Sequence, residues 1–293
     1  EATGKAAALF ASSGTQTNLL ALLSHCERGD EYIVGQDAHT YKYEAGGAAV
    51  LGSIQPQPLD FDAKGQLPLD KVAAAIKEDD PHFARTRLLA IENTQHGRVL
   101  PMDYLRAARE LADQHGLALH LDGARVANAA VALELSLNQV CEPFDSVSIC
   151  LSKGLGAPVG SVLCGSEALI QRARRWRKML GGGMRQAGVV AAAARIALRD
   201  GPSWLADDHR RATHLHTRLS QLPGASTRES WQQSNMVWLD FEEDVGAALK
   251  SHCQAHGVTI SVKRAGARLV LHRDISDQQV DQAADVIAAF FNA

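Results

Sequence analysis

Long apolar runs are missing from this sequence. No stretch approaches the ~18 consecutive apolar residues that a membrane-spanning helix needs, so no span is expected. A basic-then-apolar leader is missing from the first residues, which therefore give no targeting signal. Neither sign of charge is in excess. The 30 Lys and Arg against 33 Asp and Glu leave a net charge of −3, which argues against nucleic acid or an anionic membrane as a bulk partner. Cysteine is sparse and dispersed. Cys26, Cys141, Cys150, Cys164 and Cys253 show no CxxC spacing and read as reduced core thiols of a cytoplasmic protein, not as a disulfide framework or zinc site. His209, His214 and His216 lack an i, i+4 ligand pair, and no metal is expected. Internal repeats and low-complexity linkers are absent as well.

The chain does have room and material for a core: 293 residues, 46% hydrophobic and 22% charged, enough for one large domain and a smaller one. Apolar runs at Tyr32–Gly35, Leu88–Glu92, Ala118–Asp122, Ser146–Cys150, Ser161–Cys164 and Met236–Asp240 predict strands. Helical patterns at Thr15–Cys26, Leu69–Lys77, Met102–His115, Glu167–Lys178 and Gly188–Arg199 lie between them. This alternation predicts an α/β fold of parallel βαβ units, its mostly parallel sheet covered on both faces. Gly201-Pro202 predicts a break, with a large domain over residues 1–202 and a smaller α+β domain over 203–293. The smaller domain would open with a polar helix near Ser203–Gln221 and close with one at Gln278–Phe291.

Three features fall at expected strand ends, where open α/β sheets bind ligands. Ser12-Ser13-Gly14-Thr15 leads into a helix, and small residues there expose backbone N–H groups to a phosphate or simply cap the helix. His120-Leu-Asp122-Gly-Ala-Arg125 ends an apolar strand in an acid, with an arginine close behind; the acid could equally cap the next helix. Ser148-Ile-Cys-Leu-Ser-Lys153-Gly-Leu-Gly places a lysine between an apolar strand and a glycine-rich turn. Partial desolvation there would lower the lysine's pKa and make it a nucleophilic amine. The Gly154–Gly160 stretch offers a superficial G-x-G, but Pro158 and the lack of a following helix with a ribose-binding acid weaken a dinucleotide reading. A strand-end Asp, a later strand-end Lys and an upstream phosphate cup together match the needs of pyridoxal phosphate: an anion for the ring nitrogen, an amine for the Schiff base and an anchor for the phosphate.

Asp122-Gly-Ala-Arg125, Leu151-Ser-Lys153-Gly-Leu-Gly and Gly181-Gly-Gly-Met-Arg185-Gln resemble the low-specificity L-threonine aldolases of the β-eliminating lyase/threonine aldolase family. So do Ser13-Gly-Thr-Gln-Thr-Asn18, His39-Thr-Tyr41 and Glu92-Asn-Thr94, and the likeness runs from about residue 3 to the C-terminus. The resemblance implies fold type I of the pyridoxal-phosphate enzymes and reversible cleavage of L-threonine or L-allo-threonine to glycine and acetaldehyde. It implies Lys153 as the Schiff-base lysine, Asp122 as the partner of the pyridine nitrogen, and Gly14 and Thr15 as the phosphate cup. His39 would stack on the ring and act as base or water activator, with His82 as a second active-site histidine near the substrate hydroxyl. Arg125 would lie near the ring hydroxyl and the substrate carboxylate, and Arg268 would clamp that carboxylate. Arg185 and Lys178 would be supplied across an interface of a homo-oligomer, a dimer of dimers. Tyr43, where some members have Phe, would shape the pocket near the substrate side chain.

Plainer readings and rival functions stand beside this. His82 could be a surface-loop residue, and Lys178 part of a solvated basic helix face. Trp176 and Trp204 read as packing residues. Thr94-Gln95-His96-Gly97 departs from the commoner Thr-His-Asn-Gly, so Gln95 and His96 carry no role. Family members carry a further N-terminal stretch, with an Arg-Ser-Asp-Thr sequence, ahead of the matching region. Substrate binding is expected to depend on it more than cofactor binding does. The alternatives are another enzyme of the same fold type, a β-eliminating lyase or serine hydroxymethyltransferase, and a cofactor-binding subunit without catalysis.

Overall fold

The structure, a computed structural model, describes residues 1–293. In chain order it contains β1 (Ala7–Ala11), α1 (Gly14–His25), β2 (Glu31–Gly35), α2 (His39–Lys42), α3 (Gly47–Gly52), β3 (Gln55–Leu59), α4 (Leu69–Ala75), β4 (Thr86–Glu92), α5 (Met102–Gln114), β5 (Ala118–Gly123), α6 (Val126–Ala132), α7 (Leu137–Cys141), β6 (Ser146–Cys150), β7 (Ser161–Gly165) and α8 (Glu167–Met179). The long α9 (Gly188–Leu219) follows, then β8 (Ala225–Thr227), β9 (Met236–Phe241), α10 (Gly246–Ala255), β10 (Val262–Lys263), β11 (Gly266–Val270) and α11 (Asp277–Phe291). The chain divides into two compact units, residues 1–95 with 99–201 and residues 96–98 with 202–293.

The N-terminal unit is built on one sheet of order β1-β7-β6-β5-β4-β2-β3. Neighbouring strands from β6 through β3 pair in parallel, whereas β7 runs antiparallel to both β6 and β1. The sheet is therefore mixed, because the loop over residues 151–160 is too short for the crossover a parallel β7 would need. Two strands of this sheet went unread in the sequence. β1 is mostly alanine, and β3 carries Pro56 and Pro58, which suit the sheet edge where it pairs with β2 alone.

Helix α1 is central. Its residues from Thr17 to Ser24 are all buried. Leu19, Leu22 and Leu23 pack with Tyr32, Val34, Ile54 and Leu88, while Leu20 and Ala21 pack with Leu9, Leu163, Leu169 and Ile170 of the β1–β7–α8 side. The helix is enclosed, and each leucine so buried contributes about 1.5–3 kcal/mol. Ser13 caps its start by accepting from the Gln16 N–H.

Gly201-Pro202 does not end a helix. One helix, α9, runs through it, with Pro202 inside, in place of the two helices read from the sequence. The glycine has a packing reason: a Cβ at Gly201 would lie 2.4 Å from Leu155 Cδ2.

The C-terminal unit has an antiparallel sheet of order β10-β11-β9-β8, whose apolar residues Val237, Leu239 and Leu269 join Leu215, Leu219, Leu249, Val280 and Ile287 of the helices in one core. Asp208 is the odd group there. Its side chain is fully buried, neither oxygen has a hydrogen-bond partner, and Arg211 Nη1 is 3.7 Å away. Burial pushes its carboxyl up to about 6. A folded-state pKa above the unfolded value means that stability falls as pH rises from about 4 to 6 and stays lower above that range. Asp208→Asn is therefore expected to be more stable at pH 7 by roughly 1–3 kcal/mol, at about 1.4 kcal/mol per pKa unit. The gain should vanish near pH 4. Denaturant melts at the two pH values check this, and an equal effect at both would contradict it.

Candidate active site

β1, β2, β4, β5 and β6 all run in one direction, so their C-terminal ends share an edge of the sheet. Gly14 and Thr15 follow β1, His39 and Tyr43 follow β2, Glu92 ends β4, Asp122 lies near the end of β5 with Arg125 behind it, and Lys153 follows β6. This is the edge at which such sheets bind ligands. His82 is placed differently: it precedes β4, at the opposite edge, with its side chain 83% exposed and its Nδ1 on Asp80. The structure does not bring it to the others.

Register puts the chemistry on one face. Glu92, Asp122 and Ser148 are side by side on β4, β5 and β6, and two residues back stand Ala90, His120 and Ser146. Helix α1 meets this face with the buried polar residues Thr17 and Asn18. Thr17 Oγ1 lies 2.5 Å from Ser148 Oγ. Asn18 Nδ2 donates to Asp122 Oδ2 at 2.8 Å and to Glu44 Oε1 at 2.9 Å. The Ala124 N–H donates to Asp122 Oδ1 at 3.1 Å. His39 Nδ1 is 2.9 Å from the same Glu44 oxygen, and its backbone N–H donates to Glu92 Oε2 at 2.8 Å. Ligand atoms of His39, Glu44 and Asp122 all lie within 4.8 Å of one another.

Three acids this close in a buried place repel one another. Burial raises the Glu92 carboxyl to about 7, with the Asp122 charge adding to it and the His39 N–H and Lys153 opposing it. Burial likewise raises Glu44, against the hydrogen bonds from His39 and Asn18. His39 is raised chiefly by its bond to Glu44.

The other expected residues are scattered more widely. Lys153 is exposed, so its loop does not supply the desolvation expected of it. Its position lies past the end of β6, on a loop held by its neighbours Leu151, Leu155 and Ala157 rather than in the strand. Tyr43 is 50% exposed, its ring 5.8 Å from that of His39. Arg125 is half-buried at the start of α6. Lys178 and Arg185 are exposed around the Gly181–Gly183 segment, which touches α1: a Cβ at Gly182 would lie 2.4 Å from Gln16 Nε2. Arg268 is exposed on β11 of the C-terminal unit, where it borders a groove of about 430 Å³. Asn18, Glu44, Glu92 and His120 were given no role by the sequence reading. The available signals were polar side chains in otherwise apolar settings: Thr17-Asn18 ahead of Leu19-Leu20, and His120 in phase with Asp122 on an apolar strand.

Pyridoxal phosphate fits these residues. A buried excess of carboxylates suits a ring nitrogen that carries a proton. The first turn of α1 presents backbone N–H groups and no acidic side chain. Beside it Ser161 Oγ is buried without a partner, 3.7 Å from where a Cβ of Gly14 would stand. The fold is shared with threonine aldolase from Leishmania major (TM-score 0.81, 21% identity, 97% of this chain and 84% of that one). It is also shared with a PLP-dependent aminotransferase from Streptococcus suis (TM-score 0.77, 16% identity, 97% and 76%). The sheet has the α/β fold of the type I pyridoxal-phosphate enzymes. The model of the family named Beta-eliminating lyase matches residues 1–242. Low specificity L-threonine aldolase of Escherichia coli K12 is 52% identical over 290 residues, 99% of this chain and 86% of the relative. Low-specificity L-threonine aldolase 1 of Arabidopsis thaliana is 38% identical over 287 residues, 94% and 80%. The chain belongs to the β-eliminating lyase/threonine aldolase family, and it is a lyase.

Proposed function

We propose that the protein cleaves L-threonine and L-allo-threonine, and related β-hydroxy-α-amino acids, to glycine and an aldehyde. The observation that carries this is the set of groups at one sheet edge of a chain so similar to threonine aldolases: the Asp122 carboxylate, the His39–Glu44 pair, Lys153 and the start of α1. Asp122 would hold the ring nitrogen, His39 the ring face, Gly14 and Thr15 the phosphate, and Lys153 the reactive aldehyde carbon. When bound, the cofactor supplies an electron sink for the bond broken at Cα.

The chain's own work is orientation and proton transfer. Arg125 binds the substrate carboxylate by a bidentate pair that lysine cannot form, and so sets which Cα bond lies in the reactive direction. His39 accepts the substrate hydroxyl proton at its free ring nitrogen, directly or through a water. Glu92, with its raised pKa, keeps a second proton-exchanging group beside the His39 backbone.

The five cysteines are free and buried, in keeping with a cytoplasmic enzyme. Met179 at 72% and Val189 at 79% exposed lie either side of Arg185 in sequence, and such exposed apolar side chains suit a subunit interface of a homo-oligomer, a dimer of dimers, to which Arg185 and Lys178 would belong. The decisive assay is incubation of the purified protein and pyridoxal phosphate with each threonine diastereomer. Acetaldehyde and glycine in equal amounts are expected. Ammonia and a keto acid would instead assign a β-elimination, and no turnover would leave a cofactor-binding subunit.

A further inference from the structure

We propose that Glu44 is a positioning residue for His39: it takes the ring's Nδ1–H, fixes the tautomer that leaves Nε2 as the sole acceptor, and is itself held by Asn18, whose amide bridges Glu44 to Asp122. This rests on reading His39 as the group that takes up the substrate's hydroxyl proton.

Each hydrogen in the network can be accounted for. Asn18 Nδ2 faces two carboxylate oxygens, Glu44 Oε1 at 2.9 Å and Asp122 Oδ2 at 2.8 Å. Both contacts need donors, so both amide hydrogens are used and Oδ1 must face the other way. There it meets His120 Nε2 at 3.3 Å. An amide oxygen only accepts, so Nε2 of His120 carries that ring's proton, and Nδ1 accepts from the Ser146 hydroxyl at 2.8 Å. Ser146 Oγ in turn accepts from His25 Nε2–H at 2.7 Å. His25 and His120 are buried and held neutral, at about 4 and about 3 respectively, by desolvation, so the chain of donors keeps one direction through the working pH range.

That direction reaches His39. The Asn18 amide cannot turn without setting its oxygen against two carboxylates, so Glu44 is fixed from behind. Its side chain is 4% exposed, whereas that of His39 is 39% exposed. Glu44 Oε1 thus meets His39 Nδ1 at 2.9 Å as an acceptor, and Nδ1 must carry the hydrogen. A carboxylate on one imidazole nitrogen both orients the ring and raises the basicity of the other nitrogen. The charged and titratable groups facing His39 are Glu44 from the same loop, Glu92 from β4 and Asp122 from β5, with the Tyr43 ring beside it.

The test is ¹⁵N NMR of the histidine-labelled full chain, loaded with pyridoxal phosphate and again without it, with His39→Gln used to assign the signal. Expected in the wild type is the Nδ1–H tautomer. In Glu44→Gln, which keeps an acceptor oxygen but not the charge, the His39 midpoint should fall by about one unit or more, the scale of removing an adjacent opposite charge. The acid limb of kcat/KM should move to lower pH with it, and kcat should fall more than KM rises. An Nε2–H tautomer in the wild type, or an unmoved His39 midpoint in Glu44→Gln, overturns the proposal. The wild-type tautomer decides even if the variant fails to fold. If the midpoint moves and the pH–rate profile does not, the Glu44–His39 pair stands and the proton-accepting role of His39 falls.

Discussion

Lys153→Ala should leave a normally folded protein that has lost nearly all turnover, because the substitution removes the amine that would bind the cofactor covalently. The fold should not notice. The loop around it is pinned by the Leu151 N–H on Gly160 O at 3.0 Å, by the Ala157 N–H on Leu151 O at 2.8 Å, and by the buried side chains of Leu151, Leu155 and Ala157. The Lys153 side chain is exposed and takes no part in that anchoring. Exposed substitutions of this kind change stability by about 0.5 kcal/mol or less. Activity and folding are therefore separable here, and the activity loss has a chemical meaning. Borohydride reduction of the loaded wild type followed by peptide mapping should fix the cofactor to the peptide containing Lys153. A label on another lysine, or a Lys153→Ala enzyme with near-normal turnover, would remove Lys153 from the chemistry.

The residues at strand ends were legible because their signal is local. β4, β5 and β6 are apolar runs of strand length, and Asp122 and Lys153 stand out as charges where such runs stop. The network behind them was not legible. That Asn18 bridges Asp122 and Glu44 depends on how α1 rotates against β5 and on where the loop after β2 turns back, and both are set by packing between residues distant in sequence. Asn18 read as part of a motif, and Glu44, ahead of Gly46-Gly47, was given no role. Pro202 misled for the opposite reason. Its local signal is strong, yet a helix tolerates one lost N–H bond when packing holds the helix on either side. His82 lay close in sequence to a strand that carries site residues, but on the approach to it, and a strand of seven residues, Thr86–Glu92, separates the two edges.

Asp122→Asn should retain the fold and lose roughly 10²–10³ in kcat, the scale on which single preorganised electrostatic groups contribute. The carboxylate accepts from Asn18 Nδ2 on one oxygen and from the Ala124 N–H on the other. An amide has one oxygen, so one of these donors must face an NH₂ group, at a cost of about 1–3 kcal/mol for the unpaired buried group. The larger loss is the charge. On the proposed function Asp122 is the anion that would hold a proton on the ring nitrogen, and an amide cannot do this. A second readout separates this electrostatic role from simple misfit. Part of the rise at Glu92 comes from the Asp122 charge, so removing it must lower the Glu92 midpoint. The same charge raises His39, so the pH–rate profile of the residual activity should move to lower pH. A variant that loses activity with the profile unmoved has only lost shape. One that keeps near-normal turnover shows that Asp122 is not the anion the ring nitrogen needs.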